Sequence, residues 1–171
     1  MLSLFFADQI STGPTQELLG DEAHHASKVL RLNLGEQIKI SDGKGSWVSG
    51  PITEIEKKKL TIAISDRGAS TVVTPEIVLV QAVTKSDRNK EMLELAVEAG
   101  VDRVIPWQSE RSISKWQSDS YSKWEIGIKE ACKQARQVRL PDLNKVMNTN
   151  EISKLFTQNS RGFVFHESAN I

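Results

Sequence analysis

The sequence is poor in the features that define several classes of protein. It contains one cysteine, Cys132, which excludes an internal disulfide framework and a zinc site built from several cysteines. No apolar run approaches the roughly 20 residues that a membrane-spanning helix needs. The N-terminal segment 1–8 lacks the basic start of a secretory signal. We therefore expect a cytoplasmic protein without a membrane partner.

Signatures of common ligand sites are also missing. Neither G-x-G-x-x-G nor a Walker A sequence occurs, so dinucleotide and P-loop nucleotide binding have no support. The G-x-S-x-G nucleophile motif of α/β hydrolases is absent as well. His24 and His25 are adjacent, and adjacent helical residues do not face one another, so we expect no metal site.

Charge of one sign is not in excess either. The 22 basic and 22 acidic residues give a net charge of zero. Bulk electrostatics therefore does not imply a nucleic-acid partner, and any RNA site must be a local patch. With 171 residues, the chain is long enough for one or two domains, each with its own core.

Residues 1–70 carry the pattern of a small, mostly antiparallel barrel. A short helix is predicted at residues 24–32, and Asp42-Gly43 supplies the positive φ angles of a tight hairpin turn. The segment 66–71 is polar and rich in small residues, so we interpret it as a linker with a domain boundary near residue 70. Three strands are predicted, at Gln37–Ser41, Trp47–Ile55 and Lys59–Ile64.

The rest of the chain, 71–171, carries the pattern of an α/β domain. The apolar run Glu76–Val83 is typical of a strand buried on both faces. After a polar turn, the apolar positions between Met92 and Ala99 have helical spacing, and Gly100 suits the end of a helix. Val101–Trp107 is a second strand, and the three elements form a right-handed βαβ unit.

Three further elements are predicted towards the C-terminus. A long helix is predicted from Asp119 or Ser120 to about Val138, ended by Pro141. The others are a helix at Glu151–Phe156, capped by Thr149 or Asn150, and a third parallel strand at Gly162–Glu167.

Polar side chains follow each of the three predicted parallel strands. Open parallel sheets bind ligands beyond the carboxyl ends of their strands, so these segments are candidates for one ligand crevice. The alternative is that they are ordinary polar loops. The segments are Thr84–Ser86, Gln108–Ser112 and His166–Ser168.

The long helix carries basic residues and the lone thiol. Lys129, Lys133 and Arg136 share one face, which is either a ridge that contacts phosphates or a solvated face with cations near the helix C-terminus. Cys132 lies on the apolar stripe, so we interpret it as a buried small hydrophobe. The four tryptophans do not cluster in a basic run and are interpreted as core or interface residues.

Four motifs occur in order along the chain, and together they resemble one family. They are His25–Leu32 followed by Gly35 and Asp42-Gly43, Lys90–Val101, Ser109–Ser112, and Glu130–Arg136 reaching Pro141. This ordered set, with His166-Glu167 after it, resembles the RsmE family of ribosomal RNA methyltransferases. Members of that family modify N3 of a uridine in the small-subunit RNA.

The resemblance implies a fold, a cofactor and partners. The fold is α/β, with a PUA-like RNA-binding β-barrel over 1–70 and a SPOUT methyltransferase domain, which contains a trefoil knot, over 71–171. The implied cofactor is S-adenosyl-L-methionine, and the implied partners are small-subunit ribosomal RNA and a second copy of the chain. Guided by the resemblance and by positions at strand ends or on the basic helix, we expect RNA contacts at Arg31, Lys85, Arg111, Lys133 and Arg136, and cofactor contacts at His166 and Glu167. No catalytic base is assigned.

The given sequence ends at Ile171. Members of the family continue beyond the corresponding position with a G-P-E-G-G loop and an L-G-x-R-I-L-R-x-E-T-A segment. These form most of the cofactor pocket and the knot, so we expect a C-terminally truncated chain with an incomplete knot that is inactive by itself. The leading hypothesis is a uridine-N3 methyltransferase that uses S-adenosylmethionine. The alternative is a non-catalytic RNA-binding or assembly module.

Overall fold

The structure, a computed structural model, describes residues 2–84, 86–112 and 114–165. Within these ranges the strands form a six-stranded barrel-like sheet and a three-stranded sheet. In the first sheet the strands pair in the order β1-β3-β4-β5-β2, with β6 added to β4. The β1–β3 pair is parallel and the others are antiparallel. The strands are β1 (Ser3–Phe6), β2 (Thr15–Leu19), β3 (Gln37–Ser41), β4 (Ser46–Ile55), β5 (Lys59–Ala63) and β6 (Asp66–Ala69).

Strands β3, β4 and β5 confirm the three strands predicted for the barrel, with ends shifted by at most one residue. On β3, Ile38 and Ile40 are fully buried while Lys39 between them is not, as period-2 alternation requires. The Asp42-Gly43 turn is confirmed as well. Gly43 has a φ of 71°, and the Asp42 carboxylate accepts hydrogen bonds from the amides of Lys44 (2.7 Å) and Ser46 (3.0 Å).

The interpretation of 66–71 as a linker was wrong over residues 66–69, which form β6. This strand pairs with β4 from Ser46↔Ala69 to Ser49↔Asp66. Its polar sequence gives no strand signal, because backbone hydrogen bonds rather than buried side chains hold it in the sheet. Strands β1 and β2 were not predicted either.

The helix predicted at residues 24–32 begins earlier and changes its winding. An α-helix, α1 (Gly20–His24), continues directly into a π-helical turn at His25–Val29. The amide of Leu30 donates to the carbonyl of His25 at 2.9 Å, the i→i+5 bond of a π-turn. Arg31 follows with a φ of 54° and ends the element.

The second sheet is parallel and has the order β7-β8-β9. Its strands are β7 (Val78–Ala82), β8 (Arg103–Trp107) and β9 (Asp142–Leu143). The helices are α2 (Ser86–Glu98), α3 (Ser120–Ala135) and α4 (Thr149–Ser153). The predicted βαβ unit is confirmed as β7-α2-β8. None of the helices in the described ranges combines the length and apolar character needed to cross a membrane.

The third parallel strand was predicted in the wrong place. Residues 162–165 have no regular structure, and Phe165 is 96% exposed; His166 and Glu167 lie outside the described residues. The third strand is β9, because the chain after α3 runs along β8 as far as Met147, which bridges to Trp107. This segment occupies the side of β8 that is not paired with β7.

Burial of β7 on both faces was also predicted wrongly for the described chain. Val78 is 41% exposed, and the other residues of β7 are half-buried. In the part of the chain that is described, β7 pairs with β8 alone and forms a sheet edge. The continuous apolar run correctly predicted a strand, but it could not predict how many elements pack against the two faces of that strand.

The bounds of all three helices differ from the predicted ones. Helix α2 begins at Ser86, within the predicted turn. Helix α3 ends at Ala135 rather than near Val138, because Arg136 adopts a left-handed conformation with a φ of 59°. Helix α4 is capped by Asn148 rather than Thr149 or Asn150, and the Asn148 side chain accepts from the amide of Glu151 at 3.0 Å.

Each sheet has its own buried core, and β1 contributes to both. Phe5 points into the barrel with residues such as Ile40 and Leu60. Leu4 and Phe6 point to the opposite face and pack with Val97, Trp124 and other residues of the second core. We call the barrel face that carries Leu4 and Phe6 the outer face. One part of the outer face is therefore covered by α2 and α3.

The segment after α3 is hydrogen-bonded to the turn between β3 and β4. The Leu140 amide donates to the carbonyl of Gly43 at 2.8 Å, and the Ser41 hydroxyl donates to the carbonyl of Val138 at 2.6 Å. The Arg139 guanidinium donates to the carbonyl of Ser70 at 2.9 Å. These bonds join the two sheets directly. The domain boundary near residue 70 stays a prediction.

Candidate active site at the edge of the parallel sheet

Strands β7 and β8 end side by side, as the predicted crevice requires. Ala82 is paired with Trp107 in a parallel register, and the Val83 amide donates to the carbonyl of Trp107 at 2.9 Å. The segments 83–84 and 108–112 therefore leave the sheet side by side at one edge, which is formed by the carboxyl ends of its strands. A third segment reaches this edge at Met147, whose carbonyl accepts from the Gln108 amide at 2.9 Å.

Gln108 organises the loop after β8. Its side-chain amide nitrogen donates to the carbonyl of Ser114 at 3.1 Å, and its side-chain oxygen accepts from the amide of Trp116 at 2.8 Å. The hydroxyls of Ser109 and Ser112 are 2.9 Å apart and close the loop into a turn. Arg111 lies exposed on this turn. The loop thus presents a guanidinium at the edge of the sheet.

A groove of about 420 Å³ lies beside this edge, between the start of α2, the loop after β8 and α3. Its apolar lining includes Leu93, Trp116 and Trp124, and the two indoles meet edge to face with centroids 5.3 Å apart. Lysines stand on the rim, but Lys90 and Lys123 are paired with carboxylates on their own helices. The volume is that of a small-molecule site, and the lining also includes the carboxylates of Glu94, Asp119 and Glu130.

The basic residues of α3 do not form one ridge. The Lys133 ammonium is 2.7 Å from a carboxylate oxygen of Glu22, and the Lys129 ammonium is 3.1 Å from the same oxygen. Glu22 also accepts a hydrogen bond from the Phe6 amide at 3.2 Å. Lys133 is only 8% exposed. Two cations of the predicted ridge therefore connect α3 to the barrel, and Arg136 lies beyond the end of the helix.

The ionisation of Glu22 depends on these lysines. Burial opposes the charged carboxylate and by itself would raise the pKa of Glu22. Hydrogen bonds and Coulomb attraction from Lys133 and Lys129 outweigh the effect of burial and hold the pKa below its usual value. The Glu22 carboxylate is thus charged at neutral pH, which stabilises the contact between the barrel and α3.

Two of the predicted RNA-contact residues share an unusual backbone conformation. Arg31 and Arg136 are the non-glycine residues with positive φ in the described ranges, at 54° and 59°. Both follow the last turn of a helix, where glycine is the usual residue. Both side chains are exposed. Arg31 belongs to the barrel and Arg136 to the second domain, so exposed guanidinium groups stand on both halves of the molecule.

Cys132 is confirmed as a buried residue. It is fully buried in the second core, and burial raises the pKa of its thiol to about 12. A thiol with such a pKa is not a nucleophile at neutral pH. In the described ranges no group of three or more His, Cys, Asp or Glu side chains is arranged to hold a metal ion.

Three predicted site residues, Lys85, His166 and Glu167, lie outside the described residues, and their roles stay predictions. Conversely, two residues that organise the site were not predicted. Glu22 was not predicted as a site residue, and its partners are more than 100 positions away. Gln108 carried a signal as the first polar residue after a strand, but its bonds to the loop could not be read from spacing.

Comparisons with known proteins agree with this geometry. An RNA methyltransferase PUA domain family matches residues 18–65, and an RNA methyltransferase domain family matches residues 72–171. The ribosomal RNA small subunit methyltransferase E of Mycobacterium bovis is 32% identical over 151 residues, and the protein of that name from Bacillus subtilis is 25% identical over 152 residues. The matches cover 85% and 86% of this chain, and the chain spans 58% of the length of each relative.

Solved structures show the same arrangement. The methyltransferase E of Neisseria gonorrhoeae, bound to S-adenosyl methionine, superimposes with a TM-score of 0.80 at 26% identity. That match covers 92% of this chain and 67% of the other. The fold therefore defines a mixed α/β protein of the SPOUT class, in which a PUA-like barrel precedes a parallel-sheet methyltransferase domain. Within that class, the chain belongs to the RsmE family of RNA methyltransferases.

Proposed function

We propose that this protein transfers a methyl group from S-adenosylmethionine to N3 of a uridine in small-subunit ribosomal RNA. The observation that carries the proposal is the family match over both domains, with an exposed arginine at the shared edge of β7 and β8. The names of the relatives supply the RNA class and, for one structure, the cofactor. An RNA of the ribosome also implies action in the cytoplasm.

The reaction needs positioning more than it needs a strong base. When bound, S-adenosylmethionine supplies an electrophilic methyl group on a sulfonium. A carbon–nitrogen bond forms at N3, the sulfur–carbon bond breaks, and the N3 proton is lost. Holding the two reactants in line lowers the barrier, and a cation close to N3 favours its deprotonated form. His166 and Glu167 are proposed to line the cofactor side of the edge.

RNA contacts are proposed for Arg31 on the barrel, Lys85 and Arg111 at the sheet edge, and Arg136 after α3. Exposure of the three arginines supports these roles, because phosphate contacts need cations that water and RNA can reach. Lys133 is left out of this set, since its ammonium is buried against Glu22.

We also propose a homodimer, supported by the exposed Leu95 and Ile126 on α2 and α3. Light scattering after gel filtration should give twice the chain mass.

The proposed reaction can be tested in cells. Small-subunit ribosomal RNA from the source organism, with and without the gene, would be digested to nucleosides and compared by mass spectrometry. We expect a methylated uridine to disappear when the gene is deleted and to return with the wild-type gene. Arg111→Ala should restore it poorly, whereas Lys57→Ala, in an exposed turn of the barrel, should restore it fully. Unchanged methylation together with defective subunit assembly would favour the non-catalytic alternative instead.

A further inference from the structure

We propose that Trp47 and Lys39 bind an unpaired nucleotide of the RNA, with the base stacked on the indole and the ammonium on a phosphate. The inference rests on the proposed function, because it takes RNA as the ligand. It concerns a surface far in sequence from the motifs of the methyltransferase domain. We call Lys39, Trp47 and Gly68 the Trp47 surface.

The Trp47 surface lies on the outer face of the barrel. Trp47 is directly opposite Gly68 in the β4–β6 pair, and a Cβ atom at Gly68 would lie 2.6 Å from the indole. The ring therefore lies against a strand position that has no room for a side chain. Trp47 is half-buried, so part of the indole is exposed to solvent. It was interpreted from the sequence as a core or interface residue, and neither core includes it.

The open side of the indole carries a cation. The Lys39 ammonium lies 3.8 Å from the ring centroid. Lys39 takes part in none of the ion pairs formed within the described ranges. A lysine without a carboxylate partner keeps its charge available, and a flexible four-carbon stem lets the ammonium swing away from the ring.

Replacement of the ammonium by a base on the indole is favourable, because base stacking is typically stronger than an exposed cation–π contact. An exposed cation–π contact is equivalent to about a 2- to 5-fold effect on an equilibrium constant. Stacking of a base on an aromatic side chain is equivalent to about a 5- to 150-fold effect, and every base offers a ring face. The displaced ammonium can then contact the phosphate of the stacked nucleotide. A tryptophan beside an unpaired lysine thus has the two groups that single-stranded RNA needs.

The position of the Trp47 surface fits an RNA that contacts both domains. Lys39 is the register partner of Leu4, whose side chain packs against the second domain on the same outer face. The next strand carries Trp47. Just before that strand begins, the Arg139 guanidinium bonds to Ser70 and approaches Gly45, where a Cβ would lie 2.7 Å from it. The Trp47 surface therefore borders the segment that leads back to Arg136.

The first test is binding of a fluorescein-labelled, single-stranded RNA of about 12 nucleotides, measured by fluorescence polarisation on the full 171-residue chain. Trp47→Ala should weaken binding by about 5- to 150-fold, and Trp47→Phe, which keeps a ring, by no more than about threefold. Lys39→Gln should reduce the slope of log affinity against log salt by about 0.7, the loss of one phosphate contact. Lys57→Gln is the matched control and should leave the slope unchanged.

A second measurement remains decisive if Trp47→Ala fails to fold. Added RNA should quench tryptophan emission of the wild-type chain, and most of that quench should be absent in Trp47→Phe. Full quench in Trp47→Phe, or wild-type affinity in a folded Trp47→Ala, would overturn the inference while leaving the RNA substrate intact. A wild-type chain that binds no RNA at all would instead contradict the proposed function along with it.

Discussion

Glu22 joins the barrel to α3. Its carboxylate is shared by Lys129 and Lys133 and by the amide of Phe6 on β1. The side chains of Glu22 and Lys133 are 13% and 10% exposed, so the pair is largely removed from water. Loss of one partner from such a pair leaves a charge without compensation, which costs more than the pair itself contributes.

We predict that Glu22→Gln lowers the free energy of unfolding by about 1–3 kcal/mol at neutral pH, less than for a fully buried pair because water still reaches Lys129. The pKa of Glu22 is lowered in the folded state, so its contribution is present above the usual glutamate pKa and is lost as pH falls through the lowered value. Urea unfolding of both proteins should therefore converge at acid pH. The exposed residue Glu98 provides the control. If Glu22→Gln lowered the free energy of unfolding at neutral pH by no more than Glu98→Gln does, this role of Glu22 would be contradicted.

The left-handed arginines carry an energetic cost that can be measured. Arg31 has a φ of 54°, a conformation that an L-residue adopts at a cost of about 1 kcal/mol and glycine adopts freely. We predict that Arg31→Gly stabilises the fold by about 0.5–1 kcal/mol while it weakens RNA binding. Arg31→Ala keeps the Cβ atom and should weaken RNA binding without stabilising. Thermal unfolding and polarisation on the same samples separate the two effects; a glycine variant that loses stability would refute the assignment of strain.

At the scale of elements, the turn between β3 and β4 acts as a docking point for the segment after α3. Gly43 has a φ of 71°, its carbonyl accepts from Leu140, and a Cβ atom there would lie 2.8 Å from Leu140 Cδ1. A side chain at this position would strain the turn and push the segment away. The element that joins the two sheets thus depends on a residue without a side chain.

Gly43→Ala should lower the free energy of unfolding by about 2 kcal/mol or more, the sum of left-handed strain and a displaced leucine. Gly13→Ala is the control, because Gly13 has no positive φ and its nearest neighbour for a Cβ is at 3.4 Å. Denaturant unfolding of the two variants measures the difference. Equal effects of the two substitutions would show that the docking point tolerates a side chain.

Elements with strong local signals were predictable, and elements held by long-range pairing were not. Strands β3 to β5 have alternating or continuous apolar residues and clear turns, and their predicted ends are nearly correct. β1 pairs in parallel with β3, more than 30 positions away, and β6 has almost no buried side chain. The tail at 162–165 shows the opposite error, because a strong apolar signal there has no strand to pair with in the described chain.

The site was predictable in its place but not in its partners. Parallel pairing of β7 with β8 follows from the βαβ pattern, and that placed Arg111 at the sheet edge. Helical spacing also grouped Lys129 and Lys133 correctly. The spacing could not show that Glu22 pairs with both of them, because the distance between α1 and α3 is set by tertiary packing.

At the scale of the whole molecule, the side chains of β1 pack into both cores, so the two sheets should unfold together. Phe6 is 6% exposed and packs in the second core, although its backbone belongs to the barrel. We predict that Phe6→Ala costs about 3–5 kcal/mol and shifts a single transition. Far-ultraviolet circular dichroism and tryptophan emission should report the same midpoint. Two separate transitions in the wild-type chain would show that the sheets are energetically independent.

We propose that both domains together present one uridine for methylation at N3. A methyl group at N3 blocks base pairing, so reverse transcription of small-subunit ribosomal RNA stops at the modified nucleotide. We predict a stop at one uridine that is lost on deletion of the gene, restored by the wild-type gene, and not restored by a gene carrying both Arg31→Ala and Arg111→Ala. A stop pattern that is identical with and without the gene would contradict methylation of N3 by this protein.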